Sequence, residues 1–412
     1  MPEPTAPTPA PPGAPSPRAL AGLRVLDLSR VLAGPLCAQM LADHGAAVIK
    51  VEPPEGDEAR RIGPPLDERG ECAYFAALNR GKRSIALDLS RAAGRAVLGR
   101  LLDDADVLIE NFLPGTMEKW GLGYETTLAA RHPRLIYCSV SGFGADGPLG
   151  GLPGYDAVAQ AISGLMSING MPESGPVRLG VPVVDYLTGY NAMVGVLLAL
   201  AARGCTGAGQ RVEATLFDTG LALLLAPHAS NWFYSGRIPQ RMGSSHPNIV
   251  PYDCYSAADG SIFLGVVNNG QFARLCECVQ RPDLASDPRF ADPVTRREHR
   301  DALRAELERT LARHPAAELC DTLMRRGVPA GVVNNVEQAL THPHALHREM
   351  VVQADGHRHI GVPVKLSATP GRVASLPPRL SEHADGILAE LGLGVSDREM
   401  LYREGIVAPP PA

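Results

Sequence analysis

Short apolar runs of strand length alternate with helical stretches along the first half of the chain. Residues 23–28 form the first run. A Gly34-Pro35 step then opens a helical pattern through Met40 and Leu41, and Gly45 ends it. Residues 46–52 predict the next strand. Further strands are expected at 83–89, 106–110 and 134–142, with helices over about 91–103 and near 124–130. Runs that are apolar on both faces, separated by helices and short connections, predict a parallel α/β sheet of Rossmann-like character. Helical patterns follow over 155–164, 186–203 and 215–233, with a strand at 212–216 between the last two.

Around 237–248 the pattern loosens into Gly, Ser, Pro and His. A hairpin about Ala258-Asp259-Gly260, helices from Gln271, Arg296 and Ala316, and a strand at 330–334 then predict a smaller α+β unit. A strand pair (350–353 and 359–366) and a helix pair from Ser381 close the chain. The expected organisation is a tail over 1–18, a large α/β domain over 19–235, a linker over 236–250, and a small domain over 251–340. Residues 341–412 return to complete the large domain, which is therefore discontinuous.

Composition narrows the function classes. In 412 residues, 39 basic and 44 acidic side chains leave a net charge of −5, a poor match for a nucleic-acid binder. Eight prolines in the first seventeen residues mark a disordered tail rather than a secretory signal, which needs a basic start and a continuous apolar stretch. The longest uninterrupted apolar runs, 192–202 and 221–226, fall short of the ~18 residues of a membrane span. The eight cysteines show neither a disulfide framework nor paired zinc-ligand spacing, so reduced thiols, no metal and a cytoplasmic location are expected.

Nucleotide motifs are missing: the first strand leads into SRVLAGP rather than GxGxxG, and GxxxxGK[ST] and GxSxG do not occur. Asp185 stands out because it sits immediately before a long apolar helix. A plain N-cap explains it; so does a nucleophilic carboxylate kept ionised by the helix N-terminus. Spacing does not choose between the two.

Eight segments, in order, carry a resemblance: LAGLRVLDLSRVLAGP, GAAVIKVEPPEGD, NRGKRSIALDL, DVLIENFLPGTMEKWGLGY, SVSGFGADGP, GYDAVAQAISGLMSINGMP, VVDYLTG and SEHADGILAELG. Together they resemble the family III CoA transferases, the group that includes formyl-CoA transferase, carnitine CoA transferase and the α-methylacyl-CoA racemases. The similarity runs from Leu20 to about Val407. It implies a homodimer of ring-like subunits threaded through one another, with acyl-CoA as substrate and no resident cofactor. It also implies that Asp185 is the catalytic aspartate, passing through a mixed anhydride and an aspartyl-CoA thioester.

By the same resemblance Val31, Leu32, Ala33, Leu87, Asn111, Phe112 and Lys119 match CoA-contacting positions, with Lys119 as the phosphate candidate. Arg80, Lys82 and Arg83 would add positive charge. The racemases carry a GHD triplet where this chain has Gly154-Tyr155-Asp156. Tyrosine titrates near ~10 and is a poor proton shuttle, which favours a transferase over an isomerase, while the retained Asp185 speaks against a non-catalytic acyl-CoA binder. Tyr155 is then expected to orient the acyl group, or else to be a core aromatic. The segment 243–252 is similar to relatives acting on C4 to C5 dicarboxylic acids, with succinyl-CoA as the expected donor. Arg241 and His246 would grip the distal carboxylate.

Overall fold

The computed structural model describes residues 18–411; the tail expected over 1–18 lies outside them except for Arg18. Strands β1 (Arg24–Asp27), β2 (Ala47–Glu52), β3 (Lys82–Ala86), β4 (Val107–Glu110), β5 (Ile136–Ser141) and β6 (Arg211–Thr215) build one sheet. Its order is β3-β2-β1-β4-β5-β6, with every pairing parallel. This is the doubly wound order, and the crossover direction reverses between β1 and β4. Open α/β sheets leave a crevice beyond the strand C-termini at that point.

Alternation along the strands explains why both faces are covered. Val25, Val107 and Ile109 join one apolar layer with Cys37 and Leu41 of the helix Ala33–Asp43 and with Ala192 and Val196 of the helix Val183–Thr206. Leu26 and Leu108 point into the opposite layer, beside Leu98, Ile387 and Leu401. The C-terminal helices Ala384–Glu390 and Val395–Arg403 thus roof the second face of the sheet that the N-terminal half lays down.

Contacts divide the chain into two units. One runs to Ser163 and adds Val181–Ala222 and the segment from His344 onward. The other consists of Gly164–Gly180 and Leu223–Pro343. The second unit holds the antiparallel sheet of β7 (Tyr252–Ser256), β8 (Ser261–Gly265) and β9 (Ala330–Val332). The short antiparallel pair β10 (Val351–Ala354) and β11 (His357–Ile360) belongs to the first.

Three expectations change. The helix expected over 215–233 is broken: Leu216–Ala222 ends early, and Ala226 takes φ −138° and ψ 134° before Pro227. A residue before proline is pushed out of the helical region. The second strand of the late pair stops at Ile360. Finally, the helix Val183–Thr206 has 24 residues and is long and apolar enough, by length and composition, to cross a membrane. Counting uninterrupted apolar runs missed it, because near-neutral Gly, Thr and Tyr interrupt the run without lowering its mean hydropathy much. One third of its apolar window is buried within the chain.

Candidate active site

A cavity of about 330 Å³ opens at the switch point of the sheet. Its walls come from the turn after β1 (Arg30 to Ala33), the end of β4 (Asn111 to Pro114) and the end of β5 (Val140 to Gly142). The loop Leu152 to Tyr155 and the carboxylate of Asp185 complete it.

Asp185 is the third residue of its helix, not the residue before it. The cap is supplied from elsewhere in the chain: Asp156 Oδ1 accepts hydrogen bonds from the Val184 amide at 2.8 Å and the Asp185 amide at 3.3 Å. Gln160 Nε2 donates to the other Asp156 oxygen at 2.6 Å. Among the described residues no donor bonds to the Asp185 carboxylate itself. The side chain expected to serve as a cap is therefore free for chemistry.

The electrostatics also differ from expectation. A carboxylate in the first helical turn is expected to be held ionised. Burial, and then the negative charge of Asp156, instead push Asp185 up to about 7. Such a carboxylate is more basic than a free aspartate, and hence a stronger nucleophile once ionised. Its charge reaches Tyr74, which burial first and Asp185 second push up to about 12.

Val31, Leu32, Ala33, Asn111, Phe112 and Tyr155 line the same cavity as Asp185. Asn111 is committed to the fold as well: its Oδ1 accepts from the Arg30 amide and its Nδ2 donates to the Arg30 carbonyl, both at 2.8 Å. Phe112 packs edge-on against Trp120, with ring centroids 5.2 Å apart. Its amide donates to Glu110, a buried carboxyl that desolvation pushes up to about 7. Tyr155 is 66% exposed, which removes the core-aromatic alternative.

The other expected residues lie elsewhere. Leu87 is buried in the core and bridges to Val407. Lys119 ends the short helix Thr116–Lys119 on the surface. Arg241 and His246 belong to the second unit. The Arg241 guanidinium donates to the carbonyls of Ser167 and Pro172, and His246 Nδ1 accepts from the amides of Asn248 and Ile249. Two of the three basic residues are not surface cations, and the third is paired at the surface. Arg80 is buried against Asp43, Lys82 is wholly buried against Asp27, and Arg83 pairs with Glu390. These cations neutralise partners within the fold.

Sequence reasoning missed Arg30. It is the one cation among the residues lining the cavity; its guanidinium lies 5.1 Å from the Phe112 ring centroid and 3.3 Å from Glu58. The signal was present, since Arg30 directly precedes the Val31-Leu32-Ala33 run already matched to CoA contacts.

A parallel doubly wound sheet thus places the Asp185 carboxyl, with its raised proton affinity, in a cavity at its switch point. Residues 20–384 match the model of CoA-transferase family III, and the chain belongs to that family of CoA-transferases. It is 42% identical to the succinate–glutarate CoA-transferase of Agrobacterium fabrum, over 90% of this chain and 95% of that one. It is 40% identical to the succinyl-CoA:mesaconate CoA-transferase of Haloarcula hispanica, over 91% and 97%. Among solved structures, a CaiB/BaiF family protein from Brucella suis matches with a TM-score of 0.83 and 42% identity, over 91% and 100%.

Proposed function

We propose that this enzyme moves CoA from succinyl-CoA to a small dicarboxylic acid, with Asp185 as the covalent nucleophile. The observation that carries the reading is the Asp185 carboxylate, which faces the cavity with no hydrogen bond to it among the described residues and a proton affinity raised to about 7. The substrate class follows from the names of the relatives, which pair succinyl-CoA with glutarate, mesaconate and D-citramalate.

The ionised Asp185 oxygen attacks the thioester carbonyl. The C–S bond breaks, leaving a mixed anhydride and CoA thiolate. The thiolate attacks the aspartyl carbonyl and releases the donor acid, so that CoA is carried as an aspartyl thioester. The acceptor carboxylate attacks that carbonyl and expels the thiolate, which then attacks the acceptor's own acyl carbon and frees Asp185. Each step exchanges one activated acyl for another, so no phosphoryl donor is consumed. Each also passes through an oxyanion, and the Ala33 amide, which opens the helix Ala33–Asp43 at the cavity wall, suits its stabilisation. Val31, Leu32, Ala33, Asn111 and Phe112 would contact the reacting arm of CoA. Leu87, Lys119, Arg241 and His246 retain the roles that the resemblance implies, in CoA and acid binding.

We also propose a homodimer working in the cytoplasm. Val194, Leu197 and Leu198 lie exposed on the helix Val183–Thr206, a face that a second copy would cover. The test of function is incubation with succinyl-CoA and a panel of C4 to C6 dicarboxylates, following new acyl-CoA by mass spectrometry. New thioester from one acid, absent with Asp185→Ala, is expected. Its absence with every acid would overturn the reading.

A further inference from the structure

Val31 lines the same cavity as Asp185 and holds φ at +67°, a left-handed conformation that a β-branched side chain strongly resists. Something must impose it. The groups that bond the turn are buried and charged. Asp57 Oδ1 accepts from the Val31 amide at 3.1 Å and from the Ala59 amide at 2.9 Å. Lys50 Nζ donates to the Ser29 carbonyl at 2.9 Å and forms an ion pair with Asp57 at 2.9 Å, both side chains fully buried. Asp27 accepts from the amide and hydroxyl of Ser29, and Lys82 joins Asp27 to the Pro35 carbonyl.

The Ser29 amide and carbonyl, the Arg30 amide and carbonyl and the Val31 amide are thus each bonded by a side chain of Asp27, Lys50, Asp57 or Asn111. A hydrophobic cluster would have stabilised the fold as well, and a buried ion pair is weak evidence of stability as such. What charged groups add here is direction: they fix carbonyls and amides in one orientation.

We propose that Asp57 and Lys50 are positioning residues for the transfer reaction, holding Val31 left-handed so that the first turn of the helix Ala33–Asp43 faces Asp185. This inference rests on the reading of Asp185 as nucleophile. Asp57 acts through Val31, not on substrate. If so, its loss should be repaired by a residue that adopts φ > 0 unaided, which glycine does.

The test compares Asp57→Ala with Asp57→Ala/Val31→Gly, measuring kcat, KM for succinyl-CoA and the yield of hydroxylamine-trapped Asp185. Asp57→Ala is expected to lower kcat at least tenfold with a much smaller change in KM. The added Val31→Gly is expected to restore kcat at least fivefold. Should Asp57→Ala fail to fold, Lys50→Met/Asp57→Ala removes both charges and is tested with and without Val31→Gly in the same way. A folded variant with unchanged kcat, or one that Val31→Gly does not improve, overturns the inference while leaving Asp185 trapping intact. Wild-type protein that yields no trapped Asp185 overturns the nucleophile and this inference together.

Discussion

Gly189 and Ala33 bring two helices into backbone contact: a Cβ on Gly189 would stand 2.7 Å from the Ala33 carbonyl oxygen. Gly189 lies one turn beyond Asp185 on the helix Val183–Thr206, and Ala33, which opens its helix, lines the cavity. The proposed nucleophile and the candidate oxyanion-stabilising amide are therefore spaced by a contact that admits no side chain. Gly189→Ala must separate the helices or shift one along the other. Forcing atoms into a packed contact costs ~1–3 kcal/mol. The expected result is a loss of kcat of about tenfold or more with a melting temperature lowered by a few degrees, read by steady-state kinetics and thermal unfolding.

Asp156 both caps the Asp185 helix and raises the proton affinity of Asp185. Asp156→Asn keeps an acceptor for the Val184 amide while removing the charge. Asp185 should then ionise at lower pH. Burial is the larger cause of the raised value, so the shift is expected to be under about one unit. The acidic limb of the pH profile for adduct formation should move toward acid by that amount, and an unmoved limb would remove Asp156 from the account.

Stability should carry the same signature. The folded state disfavours ionised Asp185, whose value of about 7 lies above the ordinary carboxylate range near ~4. Unfolding thus becomes easier as pH rises from about 4 to 7, where the unfolded chain has released the proton and the folded chain still holds it. Asp185→Asn removes that penalty. Its melting temperature should exceed that of wild type by on the order of a few degrees above pH 8 and converge with it near pH 4.

Arg30 lines the cavity and, among the described residues, pairs only with Glu58, at 3.3 Å. CoA is polyanionic, so the one cation of the cavity is expected to serve binding rather than chemistry. Arg30→Ala should raise KM for succinyl-CoA about tenfold while kcat changes less than threefold. A loss confined to kcat would instead place Arg30 on the reacting carbonyl.

Much of the fold was legible in the pattern of residues. The strands near 23–28, 46–52, 106–110 and 134–142 were readable as short, mainly apolar runs of strand length set between helical stretches. Sheet order was not readable, since it depends on which layer each helix joins. The broken helix after Thr215 was missed because apolar residues run straight through Ala226, and only Pro227 betrays the interruption. Asp185 was picked out by resemblance, but its state was not legible. That state depends first on burial and then on Asp156, 29 residues away, which takes the cap that was one of the two readings of Asp185. Arg80 and Lys82 failed for the opposite reason: a run of basic residues reads as surface, whereas their partners Asp43 and Asp27 lie on other elements.

The most direct test of the central claim is to mix the protein with succinyl-CoA, trap with hydroxylamine or borohydride, and map the modified peptide by mass spectrometry. The account predicts modification at Asp185 alone, lost in Asp185→Ala together with CoA transfer. Transfer that persists in Asp185→Ala, or trapping at another carboxylate, would contradict it.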